Sequence, residues 1–370
     1  MVGPALIVAA ALVYLGLLFV IAFWGDRRAA AGRSLVRNPF VYTLAIAVYC
    51  TAWTYYGAVG SAARSGLEFL TIYLGPTVVF LGWWFVLRKI LRIRKVFRIT
   101  SIADFISSRY GKSTRLSMLV TLIAVVGTTP YIALQLKAVA TSFNVVAGFK
   151  GLDASGAAVQ SANLLTDTAF WVAAGMAAFV VLFGTRQIDA DEHHEGVVAA
   201  VAFESIFKLA AFLAVGLFVT FGLHDGFAAL FARATELEQA AALLAFPEGG
   251  APRWLTLMLL AMAAVICLPR QFQITMVENV DERHLRTASW LFPLYMLGMS
   301  VFALPIALAG LVHLPATADP DFFVLTLPMA QGQETLALLA FLGGLSSATS
   351  MVIVAAIALS TMICNDLVVP

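Results

Sequence analysis

Polar side chains gather at one point of an otherwise apolar segment near residue 50. The sequence YCTAWTYYGAVGSAARSG places Tyr49, Thr51 and Trp53 among glycines and other small residues. A helix of this composition can break in mid-membrane, and its freed carbonyls and half-helix ends can then bind a solute or an ion. The residues alone fit a second interpretation equally well, an interfacial belt of aromatic side chains with close helix packing through the small residues.

A second interruption is predicted where CLPRQFQITMVEN places Pro269 beside Arg270 and Gln271. Proline removes a backbone donor and frees the carbonyl one turn earlier. Alternatively, the aliphatic stem of Arg270 could extend so that its guanidinium group reaches the cytoplasmic surface. Paired interruptions at corresponding positions indicate a transporter site, and the four predicted spans between these two match an inverted repeat of two five-helix halves.

The segment FLGGLSSATS offers hydroxyl groups for a small cation, with Gly343 and Gly344 allowing another helix to approach closely. The four hydroxyl residues are Ser346, Ser347, Thr349 and Ser350. Such hydroxyls can also bond back to the preceding helical turn. Beside two interrupted helices, we interpret the segment as a candidate ion site.

Two pairs of polar residues lie four positions apart in other apolar segments. Glu204 precedes Lys208 in the order that favours an ion pair on one helix face, and ionisable residues within a membrane are usually functional. Coupling or gating is one interpretation of this pair, and a structural pair that fixes the helix orientation is the other. Tyr131 and Gln135 share a helix face and could line a cavity or bond across helices.

The elements that carry these residues are predicted to be membrane-spanning helices. Hydrophobic residues make up 61% of the 370 residues and charged ones 12%, whereas soluble domains carry about 25% charged residues. Because polar backbone in lipid must bond within its own segment, each apolar window is expected to be a helix. The nine windows are 4–24, 40–63, 67–87, 116–146, 166–184, 196–221, 254–277, 288–312 and 334–363.

The distribution of Lys and Arg predicts the orientation of these spans. Most of the 23 basic residues fall in loops on one side, including the stretch RKILRIRKVFR, which is expected to contact anionic lipid headgroups. This places the N-terminus outside and the C-terminus inside. Of the outer connections, 222–252 is expected to hold a surface helix and 313–333 a lid, while His193 and His194 are expected in a solvated loop.

The sequence contains no catalytic triad, nucleotide-binding loop, zinc-ligand spacing or nucleic-acid motif. We therefore predict no catalytic residue, no cofactor and no nucleic-acid partner, and a membrane enzyme is a distant alternative. The three cysteines show no pairing and are interpreted as small buried side chains.

Several segments resemble the sodium:solute symporter family, whose core is a LeuT-type inverted repeat of five plus five helices preceded by an extra helix. The resemblance covers nearly the whole chain and rests on the opening helix, the segment after RSLVRNPF, SIADFISSRYG and GGLSSATS. Other phrases, YCTAWTYYGAVGSAARSGLEFL, PYIALQLKAV, DEHHEGVVAAVAFES and LPRQFQITMVEN, are most similar to the transporter-like N-terminal domains of CbrA-type bacterial sensor histidine kinases.

The resemblance implies the location of an ion site in a bacterial inner-membrane protein. The ion would lie between the first broken helix and the ninth span, at Ala47, Cys50, Gly343, Ser346 and Ser347. We further expect a small polar solute such as an amino acid to contact Tyr49, Thr51, Trp53, Tyr131, Gln135 and Gln271, and the subgroup resemblance suggests histidine.

The coupling ion stays open between Na⁺, H⁺ and none. Tyr49 stands where proline-transporting members carry an aspartate, and the broken helix has no carboxylate. Glu204 is then a candidate relay for a proton or an ion, and no metal other than Na⁺ is expected.

The resemblance also implies further helices after the ninth span, so residues 1–370 are expected to be one transmembrane domain that stops before its last helices. In the intact protein, a cytoplasmic histidine kinase region and a response regulator are the expected partners. The alternatives are a receptor that signals without net transport, and a plain symporter.

Overall fold

The computed structural model describes residues 3–148, 170–171, 174–175, 177–178, 194–246 and 249–369. Those residues form helices and connecting turns, without a strand among them. The helices are α1 (Pro4–Ala30), α2 (Pro39–Ile46), α3 (Ala58–Ser65), α4 (Thr71–Leu81), α5 (Leu87–Phe97), α6 (Ile102–Ser108), α7 (Thr114–Gly148), α8 (Glu195–Leu217), α9 (Phe227–Thr235), α10 (Glu238–Leu244), α11 (Ala251–Cys267), α12 (Pro269–Phe272), α13 (His284–Ser300), α14 (Ala303–His313), α15 (Phe323–Ala330) and α16 (Glu334–Ile363).

Five helical segments of the described chain are long and apolar enough to cross a membrane without a sharp bend. They are Pro4–Ala30, Thr114–Gly148, Glu195–Gly222, His284–His313 and Glu334–Val368. Ala251–Cys267 and Pro269–Val277 form a sixth when counted together. These segments match six of the predicted windows. Window 40–63 is split between α2 and α3, 67–87 is covered mainly by α4, and most of 166–184 lies outside the described residues.

Helix α16 forms the centre of the bundle and packs against α7 and α8. Nearly all its side chains between Ala337 and Leu359 are buried. α1 packs along α8, α2 lies between α8 and α13, and α4 packs on α11. The outer faces are apolar as well: Leu12, Val13 and Val20 of α1 are all exposed. An apolar exterior around a packed core is the pattern that a lipid-facing bundle requires.

The end of the bundle that carries the basic loops, here called the basic end, is held by ionic contacts. Glu282, in the loop before α13, accepts hydrogen bonds from Arg88 and Arg92 of α5. Arg92, followed by Arg88, lowers the pKa of Glu282 to about 2 because both guanidinium groups stabilise its charged form. Asp26 of α1 accepts from the backbone N–H of Gly196 in α8 at 2.8 Å.

The opposite end of the bundle contains the short helices. The predicted surface helix in 222–252 is two helices, α9 and α10. The predicted lid in 313–333 contains a turn at Pro320–Phe322 and then α15, whose residues Phe323–Pro328 are buried against α14 and α16. At this end Arg64, the basic residue in the last turn of α3, donates to Asp321. The connection therefore packs into the bundle and touches the first broken helix.

Candidate functional site

The first predicted interruption is present between α2 and α3. α2 ends at Ile46, a tighter 3₁₀ turn follows at Ala47–Tyr49, and Cys50 has an extended backbone with φ −78° and ψ 100°. The chain becomes helical again at Ala52, through a π-helical turn at Trp53–Gly57. Gln135 of α7 accepts the freed N–H of Ala52 at 2.9 Å. The side chain thus satisfies a donor that a continuous helix would have used itself.

The second interruption is present at Leu268, one residue before Pro269. Leu268 is extended, with φ −62° and ψ 130°, and the helices on its two sides meet at an angle of 55°. The two broken helices are bonded to each other: Gln271 donates to the carbonyl of Ile46 at 3.1 Å, and the Tyr42 hydroxyl donates to the carbonyl of Thr275 at 2.7 Å.

A cavity of about 730 Å³ opens between the two interruptions. Tyr49, Trp53 and Tyr131 line it together with Pro269 and Arg270, and the remaining wall is mostly apolar side chains of α7 and α11. A second cavity of about 450 Å³ shares Trp53 and Tyr131 with the first and also contacts Gln135 and Asp321. A largely apolar cavity with a few polar groups is the usual form of a small-molecule site.

The six residues predicted to bind solute divide into two groups. Tyr49, Trp53, Tyr131 and Gln135 line the cavities. Thr51 and Gln271 are fully buried and line neither of them. Thr51 shares a hydrogen bond of 2.8 Å with the Tyr131 hydroxyl, so Tyr131 and Gln135 both line the site and bond across helices to the broken segment.

Arg270 also belongs to this site, although sequence reasoning did not include it. Its side chain does not extend to the surface of the bundle: only 3% of the residue is exposed. Its guanidinium carbon lies 5.1 Å from the centre of the Tyr131 ring, which is cation–π distance. The sequence did carry a sign of this role, because Arg270 is a charged residue directly after a proline inside an apolar window.

Lys208 occupies the carbonyls that were expected to bind an ion. Its side-chain nitrogen donates to the carbonyl oxygen of Ala47 at 3.0 Å and to that of Cys50 at 2.7 Å. Lys208 is fully buried in α8, and its side chain bonds directly to the backbone at the break. An amino group of this chain therefore lies at the position where a coupling ion was predicted.

Glu204, one helical turn before Lys208, bonds to α16 instead. Its carboxylate accepts from the Thr349 hydroxyl, and its backbone carbonyl accepts from Ser346 at 3.0 Å. Ser347 bonds back to the carbonyl of Gly343 at 2.9 Å. Glu204 and Lys208 thus bond to different partners rather than forming a simple ion pair along one helix face. Through these bonds, α8 connects the first broken helix to α16, the two elements expected to share the ion.

His194 does not lie on a solvated face as predicted. It is partly buried, and its Nδ1 lies 3.1 Å from a carboxylate oxygen of Glu278, which also accepts from Gln273. His193 lies outside the described residues. Within the described ranges, no group of three or more His, Cys, Asp and Glu side chains could hold a metal ion.

No protein-family model matches the chain. It is 24% identical over 297 residues to the uncharacterized symporter YhjB of Bacillus subtilis (strain 168), and the alignment covers 78% of this chain and 55% of that protein. The chain therefore spans about half the length of the curated relative it matches.

A solved structure of a Na⁺-coupled sialic acid symporter, in a substrate-bound outward-open state, superposes with a TM-score of 0.64. The superposition covers 98% of this chain and 74% of that one at 14% sequence identity. This likeness confirms the predicted fold class, an all-α membrane transporter fold of the LeuT type. Together with the symporter relative, it supports a multi-pass membrane protein that is similar to sodium:solute symporters.

Proposed function

We propose that this chain is a secondary-transporter domain that binds a small polar solute and moves it across the bacterial inner membrane. The observation that carries the proposal is that two helix interruptions, at Cys50 and Leu268, flank one cavity. Broken helices around a central site are the basis of alternating access in secondary transporters. The resemblance to CbrA-type domains supports an amino acid, and histidine in particular, as the solute.

Residues of the cavity wall have different roles in this proposal. Tyr49, Trp53 and Tyr131 contact the solute, and Gln135 contacts it in the adjoining cavity. Thr51 positions the Tyr131 hydroxyl, and Gln271 holds the carbonyl of Ile46, so both act on the solute through the shape of the broken helices.

We further propose that ion coupling runs through Lys208. A Na⁺ ion at the carbonyls of Ala47 and Cys50 would have to displace the ammonium group that already bonds to both. Coupling by H⁺ needs no such displacement, because loss of a proton from Lys208 removes the charge at this point. Gly343, Ser346 and Ser347 would complete a Na⁺ site only if Lys208 moved away.

Proteoliposomes that contain the full-length protein test transport and coupling together. We expect labelled histidine to accumulate when a pH gradient is imposed. A Na⁺ gradient should not change this accumulation. Accumulation driven by Na⁺ alone would overturn the role of Lys208 while keeping the transporter. Saturable binding without accumulation under any gradient would reject transport and favour a receptor.

The resemblance also supports a role as the input domain of a sensor kinase, with the N-terminus outside and the C-terminus inside. In that role, a cytoplasmic histidine kinase region would act on a response regulator. Autophosphorylation of the full-length protein, measured with and without solute, tests this role, and reporter fusions at each terminus test the orientation. Absence of any kinase region from the full-length gene product would leave a plain symporter.

A further inference from the structure

We propose that Arg270 binds the carboxylate of the solute, so that the cavity takes a solute carrying one carboxylate. This inference rests on the proposed function, because it concerns the solute of the same cavity. It follows from the burial of Arg270, from the groups around its guanidinium, and from the charge within the cavity.

Arg270 is a buried cation that the described protein leaves without a counter-ion. Its Nε has no hydrogen-bond partner, and none of the ion pairs of the described residues includes it. An uncompensated charge in a dry interior is costly, and buried Arg side chains are normally paired. None of the described residues lining the cavity is acidic, so a ligand in the cavity can supply the partner that they do not.

The contacts with Tyr131 occupy only part of the guanidinium. Tyr131 presents its ring to Arg270, and its hydroxyl is bonded to Thr51 at 2.8 Å. The guanidinium also hydrogen-bonds to Tyr131, but it carries five N–H donors, and its Nε has no partner among the described residues. The planar arrangement of these donors matches the two oxygens of a carboxylate.

The charge within the larger cavity favours a singly charged group. Arg270 is the only Lys, Arg, Asp or Glu among the described residues that line it. A carboxylate supplies the one negative charge that balances this guanidinium, whereas a phosphate group carries about −1.5 to −2 at neutral pH. The apolar side chains of α7 and α11 then face the rest of the solute.

Binding of L-histidine, L-histidinamide and histamine to the purified full-length protein tests the inference, because the last two lack the carboxylate. We expect both to bind about tenfold or more weakly than histidine, which corresponds to about 1.4 kcal/mol. Arg270→Gln should weaken histidine binding to the level of the amide and leave amide binding nearly unchanged. Arg283→Gln, whose side chain is 90% exposed at the basic end, is the matched control and should change neither.

A thermal measurement separates ligand binding from folding. Because no described residue forms an ion pair with Arg270, Arg270→Gln without solute should melt at least as high as the native protein, and a structural role would instead lower the melting temperature. Equal affinity for histidine and histidinamide, with no effect of Arg270→Gln on either, would overturn the inference. The proposed transporter function would be unaffected by that result. If neither these compounds nor any other amino acid binds, the proposed function itself fails.

Discussion

The side-chain nitrogen of Lys208 lies 2.7 Å from the carbonyl oxygen of Cys50, where the first broken helix stops being helical. Backbone carbonyls at a break have lost their helical donors and need a new partner. α8 supplies that partner from an unbroken helix, with the same ammonium group also bonded to Ala47. The break is therefore held by an amino group of the chain itself, and this has a direct consequence for cation dependence.

Replacing Lys208 with Met should make solute binding depend on Na⁺. The substitution removes the donor and leaves the carbonyls of Ala47 and Cys50 open to a free cation. We expect solute affinity to be flat across Na⁺ concentrations in the native protein and to rise about tenfold with Na⁺ in the variant, within the usual range of coupling between sites. Lys112→Met, at an exposed position, is the control. A flat Na⁺ titration of the Lys208→Met protein would contradict the prediction.

Thr349→Val should destabilise the protein by about 1–3 kcal/mol, because it removes the hydroxyl that bonds to the buried carboxylate of Glu204. The melting temperature of the purified protein measures the effect. Thr361→Val is a matched control on the same helix, since the Thr361 hydroxyl bonds only to its own helix, at the carbonyl of Ile357. Equal melting of the two variants would show that the Glu204 contact contributes nothing.

Gly344→Ala should disturb the packing of α16 against the first broken helix. A methyl group at this position would overlap the hydroxyl of Tyr56, and overpacking of a core costs about 1–3 kcal/mol. Chemical or thermal unfolding provides the measurement. Gly16→Ala in α1 meets no atom within 4 Å, so it should be neutral or stabilising. A Gly344→Ala protein as stable as Gly16→Ala would show that Tyr56 moves aside freely.

The contact between Glu282 and α5 should stabilise the protein at neutral pH and lose its effect in acid. Because Arg92 and Arg88 lower the pKa of Glu282 to about 2, its contribution is complete above the unfolded-state pKa of about 4.3 and disappears as the pH falls towards 2. Native and Glu282→Gln proteins should differ in melting temperature equally at pH 7 and 5, and less below pH 4. A difference that shrinks between pH 7 and 5 would be inconsistent with this pKa.

The sequence was sufficient to predict both interruptions because each has a local cause. Pro269 removes a donor, and the small and aromatic residues after Tyr49 make a poor continuous helix. The role of Lys208 was not predictable in this way, because its partner Cys50 is 158 positions away and only the packing of α8 against α2 brings them together.

The position of Arg270 shows the same limit. A charge near the end of an apolar window fits either the membrane surface or a cavity, and the 55° bend at Leu268 decides between them. Gln271 was predicted to line the pocket, yet its side chain is buried outside the cavity, because its amide donates a hydrogen bond to the carbonyl of Ile46.

Two hydrogen bonds tie α2 to the segment Pro269–Val277 that follows the second break: Tyr42 donates to the carbonyl of Thr275, and Gln271 donates to the carbonyl of Ile46. The other halves of the two broken helices have different neighbours, since α3 packs on α14 and α11 packs on α4. We expect the breaks at Cys50 and Leu268 to act as two hinges beside this bonded pair, so that a change of angle at one break alters the angle at the other.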